Sequence, residues 1–159
     1  MYNQTSTLQP KNLIKTTIVI HLALLMGQVL FGALVFAITP NPVFNFEPGN
    51  DVFFYVLIVL AGIGALLGSF LFKQQLANAA GKTNVKDKLG VYQTAFIIRA
   101  AFSEGASMFG IVCTLITGNL FYLAIVGINV LYFIWIMPTR NKIEEALNLD
   151  YNEKAAIDG

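Results

Sequence analysis

Four long apolar runs separated by short polar stretches dominate the chain, at about 17–38, 52–72, 91–117 and 120–137. A bilayer core is crossed by about 20 mostly apolar residues in helical form, and each run is close to that length. Each is also too long for a strand. Lipid leaves no spanning structure except helices or a closed barrel, and the period-two alternation of barrel strands is absent. The pattern therefore predicts an all-α integral membrane bundle of four transmembrane helices occupying 1–138, with a short, partly helical tail at 139–159. Short connections make sequential helices antiparallel neighbours.

The polar breaks sharpen these elements. Pro40-Asn41-Pro42 through Pro48-Gly49-Asn50-Asp51 is turn chemistry between the first two spans, with Val43, Phe44 and Phe46 apolar enough to dip into the interface. Gln75-Leu76-Ala77 extends the second helix past its span until Gly81 breaks it. After Pro138, Thr139 reads as an N-cap, and Ile143, Ala146 and Leu147 share one helical face. Asp150 followed by Glu153 resembles a capping box opening a last short helix. This tail can be solvated or can dock against the membrane surface, the inner loop or a partner.

The first run follows Lys11 and Lys15. Its apolar length exceeds the 7–15 residues of a signal-peptide core, so it reads as a retained span. Val35-Phe36-Ala37 is a cleavage-like triplet, and the alternative is a chain with three mature spans.

Composition agrees with a bilayer environment: 56% of residues are hydrophobic and 12% charged, against about 25% charged in soluble domains. The net charge of +1 conceals an asymmetry. Lys11 and Lys15 precede span one; Lys73, Lys82, Lys86 and Lys88 lie between spans two and three; Arg140, Lys142 and Lys154 follow span four. The opposite side carries Glu47 and Asp51 and no basic residue. The positive-inside rule then places both termini in the cytoplasm of a cell whose inner (plasma) membrane holds the chain. Aromatics at span ends (Phe53, Phe54, Tyr55, Phe121, Tyr122, Phe133, Trp135) fit an interfacial belt. The basic residues form no patch broad enough for nucleic acid. Cys113, the single cysteine, allows no intrachain disulfide.

Span three holds the two charges that do not belong in lipid, Arg99 and Glu104. Each costs about 2.5–3.5 kcal/mol at a helix centre on insertion scales. Glu104 is near mid-span, on a face with Gln93, Ile97, Ala100, Ser107, Met108 and Ile111. It should point inward or toward a neighbouring subunit. Two readings stand: an acid that binds a proton or cation, or a neutral or paired glutamate that holds helices together. Arg99 is about 140° around the helix from Glu104, off the spacing of three or four that pairs side chains. It either snorkels or pairs with another helix, or contacts an anion or substrate. Its own face carries Ser103, Gly110 and Thr114.

Gln28 in span one and Asn129 in span four lie at similar depth, so Gln28, Glu104 and Asn129 can meet at the midplane, or each can join one helix pair. His21 has no second histidine or thiol at ligand spacing, so no metal site and no cofactor is expected. Gly64 and Gly68, flanked by Ala61 and Ala65, form a small-xxx-small helix-packing motif in span two. No Ser-His-Asp set, metalloprotease motif, phosphate loop or paired thiol points to an enzyme.

Two resemblances follow. Gly62-Ile63-Gly64-Ala65-Leu66-Leu67-Gly68, then Ala77-Asn78-Ala79-Ala80-Gly81-Lys82, then Ala100-Ala101-Phe102-Ser103-Glu104-Gly105-Ala106-Ser107-Met108-Phe109-Gly110-Ile111-Val112 resemble the hairpin of the proteolipid (c subunit) of rotary ATP synthases. That resemblance implies that Glu104 is an ion-binding acid. The whole chain resembles the small four-span proteins of bacterial inner membranes, which implies no activity. The expected function is a non-enzymatic subunit, structural or helper, that associates with itself or with a larger membrane complex. One alternative is proton or cation handling by Glu104, tuned by Arg99, Gln28, Asn129 and Ser107. The other is a lipid-binding protein or membrane enzyme with a dispersed site.

Overall fold

A computed structural model describes residues 9–46 and 51–158, with side chains as far as Ile157, so Glu47 and Pro48-Gly49-Asn50 of the loop after span one lie outside the described residues. The described chain is helical throughout: α1 (Pro10–Ile38), α2 (Val52–Ala79), α3 (Val85–Thr117), α4 (Phe121–Trp135), α5 (Arg140–Ala146) and α6 (Tyr151–Asp158). Local chemistry sets the ends. Pro10 occupies the first turn of α1, where no backbone N–H is needed. Asp51 and Asn84 cap α2 and α3 by accepting from the N–H groups of Phe53 (3.0 Å) and Lys86 (2.9 Å). Gly118 ends α3 in the left-handed region at φ 71°, a conformation that costs glycine nothing.

Three helices, α1 to α3, are long and apolar enough to cross a membrane. The expected fourth span, 120–137, is shorter and bent: α4 has 15 residues and meets α5 at 73°. Pro138 explains the break, because it offers no N–H and restricts the residue before it. At 1.5 Å per residue α4 covers about 22 Å, short of the roughly 30 Å hydrocarbon core. It makes a fourth span if the bent α4–α5 pair counts as one. The other helices run past their apolar limits into polar sequence, α1 from Pro10, α2 to Ala79 and α3 from Val85.

The bundle is organised around α3, which packs against α1, α2 and α4, with α1 also touching α4. In the most apolar stretch of α3, 44% of residues are buried, against 17% in α1 and α2. The buried seam of α1 contains Ile14, His21, Gln28 and Val35 at seven-residue intervals, joined by Thr17. Its outward face carries Val19 and Leu30, each 62% exposed. Polar residues inside and bare aliphatic residues outside reverse the pattern of a water-soluble helix and suit a hydrocarbon solvent. Buried Thr17, Thr39 and Thr114 return their hydroxyls to the carbonyl four residues back.

The α2–α3 contact is a backbone contact. A Cβ placed on Gly64 would lie 3.1 Å from the Phe102 carbonyl oxygen, and one on Gly68 would lie 3.3 Å from that of Arg99. Ala61 and Ala65 flank this stripe, partly buried. The small residues of span two thus serve packing within the chain.

Both ends of the bundle are closed. At one end, the loop after α1 is stitched to the α3–α4 turn: the Val43 N–H donates to the Gly118 carbonyl, the Leu120 N–H donates to the Val43 carbonyl, and the Asn119 side chain bonds both backbone groups of Asn45. Phe44 and Phe46 set their rings edge-on to Phe121. At the other end, the tail folds back, and Ile143, Leu147, Leu149 and Ile157 bury against Leu13, Ile14, Val85 and Leu89. The expected capping box is present, Glu153 N–H donating to Asp150 (2.8 Å) and Asp150 N–H to Glu153 (3.0 Å). Lys88 then ties α6 to the start of α3 through Glu153 at 2.5 Å. The hydrogen bond from Lys88, followed by that from the Asp150 backbone, holds the Glu153 carboxyl below the usual carboxylate range.

Replacing Gly68 with valine should destabilise the bundle by about 1–3 kcal/mol, the usual cost of overpacking. Gly62→Val, where a Cβ would meet nothing within 4 Å, should be near neutral; thermal unfolding in detergent compares the two. A depressed carboxylate stabilises the tail above its unfolded pKa and ceases to do so as pH falls through the lower folded value. Hydrogen exchange in α6 should therefore rise below the ordinary carboxylate range, and Glu153→Gln should raise it a few-fold at neutral pH while flattening that pH dependence.

Candidate functional site

The polar side chains inside the bundle fall into separate groups. The first is a mid-span knot between α3 and α4. Asn129 donates from Nδ2 to the Ser103 carbonyl oxygen (2.7 Å) and to Ser107 Oγ (2.8 Å), and its Oδ1 accepts from Ser103 Oγ (3.1 Å). Positions 103 and 107, four apart, share one face of α3 and bracket the α4 amide. All three residues are buried, so each bond replaces a contact with hydrocarbon. Asn129 and Ser107 are thus brought together as polar neighbours.

Gln28 does not join them. It is buried, yet neither amide atom has a hydrogen-bond partner among the described residues. His21, two helical turns earlier, is fully buried and likewise unpaired at both ring nitrogens. Its ring stacks on Phe133 (centroids 4.4 Å apart, 13° between planes) and meets Phe96 edge-on at 5.5 Å. His21 therefore packs as an aromatic disc between α3 and α4.

Arg99 forms the second polar centre. Its Nε and Nη2 both donate to Tyr132 Oη, at 3.3 and 3.1 Å. Tyr132 Oη also lies 3.2 Å from Ser69 Oγ, so one hydroxyl links α2, α3 and α4. The guanidinium carbon sits 5.3 Å from the Phe72 ring centre and 5.7 Å from that of Tyr132, within cation–π range. Snorkelling, inter-helix pairing and contact with an anion or substrate are open for Arg99 from the sequence, and the side chain is hydrogen-bonded across helices to Tyr132. Arg99 and Glu104 form no ion pair. The group opens on a cavity of about 210 Å³ lined by Phe72, Tyr92, Phe96, Trp135 and Lys142 among others.

Glu104 stands apart. It is partly buried and makes no hydrogen bond or ion pair with the described residues. On α3 it borders the exposed positions Ile97, Ala101 and Gly105, and a Cβ built on Gly105 would find nothing within 4 Å. The midplane meeting of Gln28, Glu104 and Asn129 is not formed. The actual partners of Asn129 are the two α3 serines, which come within reach because α3 and α4 pack at this depth.

Sequence reasoning missed Tyr132, Ser69 and the aromatic walls around Arg99. The usable signal was depth. Arg99 lies toward the tail end of α3, and Tyr132 and Phe72 lie toward the same end of the antiparallel α4 and α2.

The two buried amides should respond oppositely to replacement. Asn129→Ala removes up to three bonds and should cost about 1–2 kcal/mol, given roughly 0.6 kcal/mol on average for an inter-helix bond in membranes. Gln28→Met removes an amide that none of the described residues satisfies and should leave stability unchanged or raise it; unfolding in detergent measures both. The chain matches no protein-family model, no curated protein and no solved structure.

Proposed function

We propose that this chain is a non-enzymatic subunit of an inner-membrane assembly, crossing the bilayer four times with both termini in the cytoplasm. Its docking determinant is Glu104. The observation that carries this reading is a carboxyl at mid-span with no partner among the described residues. A charged or neutral acid at that depth is retained where it faces protein, water or a partner. Beside it, Ala101 and Gly105 leave the α3 backbone open, and a groove of about 340 Å³ continues between α2 and α3, lined by Val59, Ile63, Gly64, Ala101, Phe102 and Gly105. A transmembrane helix laid there can approach closely and offer the acid a donor or a cation. The partner is a second copy or a different subunit. Nine of the ten basic residues flank the helices at the tail end, and this supports a cytoplasmic orientation for that end.

A second reading keeps Glu104 as a proton- or cation-binding acid. It draws on the same free carboxyl and on the resemblance of the α2–α3 hairpin to ATP synthase proteolipids.

One experiment separates the two. Wild type, Glu104→Gln and Glu104→Leu are extracted in mild detergent, sized by native electrophoresis, and reconstituted for proton flux. The docking reading expects wild type to migrate as an assembly, Glu104→Gln to retain part of it through its amide, and Glu104→Leu to lose it. An assembly indifferent to Glu104→Leu sinks that reading. Flux abolished by Glu104→Gln with the assembly intact establishes the second.

A further inference from the structure

We propose that the Arg99 cavity is a binding site for a phosphate-bearing anion, namely the headgroup of an anionic phospholipid or free phosphate. Among the described residues, Arg99 has no carboxylate within ion-pairing distance, and none lines the cavity. A guanidinium carries five N–H donors. Two are used on Tyr132 Oη, and the remaining three have no acceptor among the described residues. Because Tyr132 Oη accepts twice, its own O–H is left to donate to Ser69 Oγ. The fork is thus fixed from behind by a hydroxyl relay and from its faces by Phe72 and Tyr132. Its free edge is what a phosphate or carboxylate engages bidentately.

The second cation is Lys142 on the rim. Its ammonium donates to the carbonyls of Trp135 (2.8 Å) and Met137 (3.2 Å), the unsatisfied end of α4, and keeps one proton of three. Two cations with unspent donors and no carboxylate among the residues lining the cavity form a charge pattern that an anionic ligand completes. The size also discriminates: about 210 Å³ is smaller than the roughly 300–1,000 Å³ of sites that enclose a whole drug-sized ligand. It suits a headgroup or a small oxyanion. The rim suits an amphiphile, because Trp135 is 71% exposed and Leu131, one turn back, is 67% exposed on the lipid-facing side of α4. Acyl chains can lie there while the phosphate sits inside.

The test uses the full chain, purified and delipidated in neutral detergent. Phosphatidylglycerol, phosphatidylcholine and inorganic phosphate are titrated separately and read by native mass spectrometry and by the fluorescence of Trp135, the chain's single tryptophan. Phosphatidylglycerol should bind and shift the Trp135 emission. Arg99→Gln should weaken it roughly tenfold or more, the scale of a lost hydrogen bond to a charged group. Lys142→Gln should weaken it less, and Lys15→Gln, which removes one basic charge at the same end, should not change it. Displacement by millimolar inorganic phosphate assigns the site to free phosphate as well; resistance assigns it to the lipid headgroup. Equal binding of phosphatidylcholine, or full retention of phosphatidylglycerol by Arg99→Gln, overturns the proposal. If circular dichroism shows Arg99→Gln unfolded, Arg99→Lys and Lys142→Gln decide: both binding as tightly as wild type overturns it equally.

Discussion

Hydrocarbon around the bundle is the constraint on which the rest depends. It rewards no polar group on the outside, so α1 and α2 present aliphatic faces there and turn Thr17, His21, Gln28 and the glycine stripe inward. It also removes the usual driving force for helices to cohere, since lipid tails are as apolar as leucine. Cohesion must then come from close packing and from bonds between helices. α3 supplies both: Phe102 and Arg99 backbone against Gly64 and Gly68 on one side, and Ser103 and Ser107 against Asn129 on the other. The helix richest in polar side chains is also the one most enclosed.

Packing and chemistry are connected through Gly68. Its contact with the Arg99 carbonyl brings the α2 backbone to the level of Arg99. Ser69 and Phe72, one and four residues on, therefore reach the guanidinium and the Tyr132 hydroxyl. A bulkier residue at 68 would separate the elements that hold the arginine. The tail contributes the remaining wall. The bend at Pro138 turns α5 under the bundle, so that Lys142 and Ala146 line the same cavity, and the apolar contacts of Ile143 and Leu147 hold α5 in place. A helix that ended straight would have left the cavity open.

Much of this was legible in the chain. The helical class, the three long apolar helices and the close approach at Gly64 and Gly68 follow from apolar run length and residue size, which act locally. The capping box at Asp150 and Glu153 follows for the same reason. What eluded the sequence depended on rotation and depth. Hydropathy placed Gln28 and Asn129 near the same level but not on facing sides, and the serines that satisfy Asn129 reach it because α4 packs against their face of α3. Tyr132 lies in an apolar run and carries no signal of its own until α4 is set antiparallel to α3. α4, Phe121–Trp135, falls inside the expected 120–137 and stops two residues sooner, because regular helix gives out ahead of Pro138.

The two charges of α3 meet different fates for a reason of reach. Arginine has a long, flat side chain with donors on several sides, and from one helix position it finds a phenol, two ring faces and a cavity edge. Glutamate has a shorter stem and, when ionised, accepts but cannot donate, and the positions beside it present Ala101 and Gly105, which offer no donor side chain. The chain therefore gives its partly buried cation partners of its own and leaves its acid beside an open face. A membrane helix that keeps such an acid without a partner of its own bears a cost of about 2.5–3.5 kcal/mol on insertion scales. A donor brought by a second protein surface would lower that cost, and this is the physical basis of the docking face proposed for Glu104, as the unspent guanidinium donors are of the ligand site proposed at Arg99.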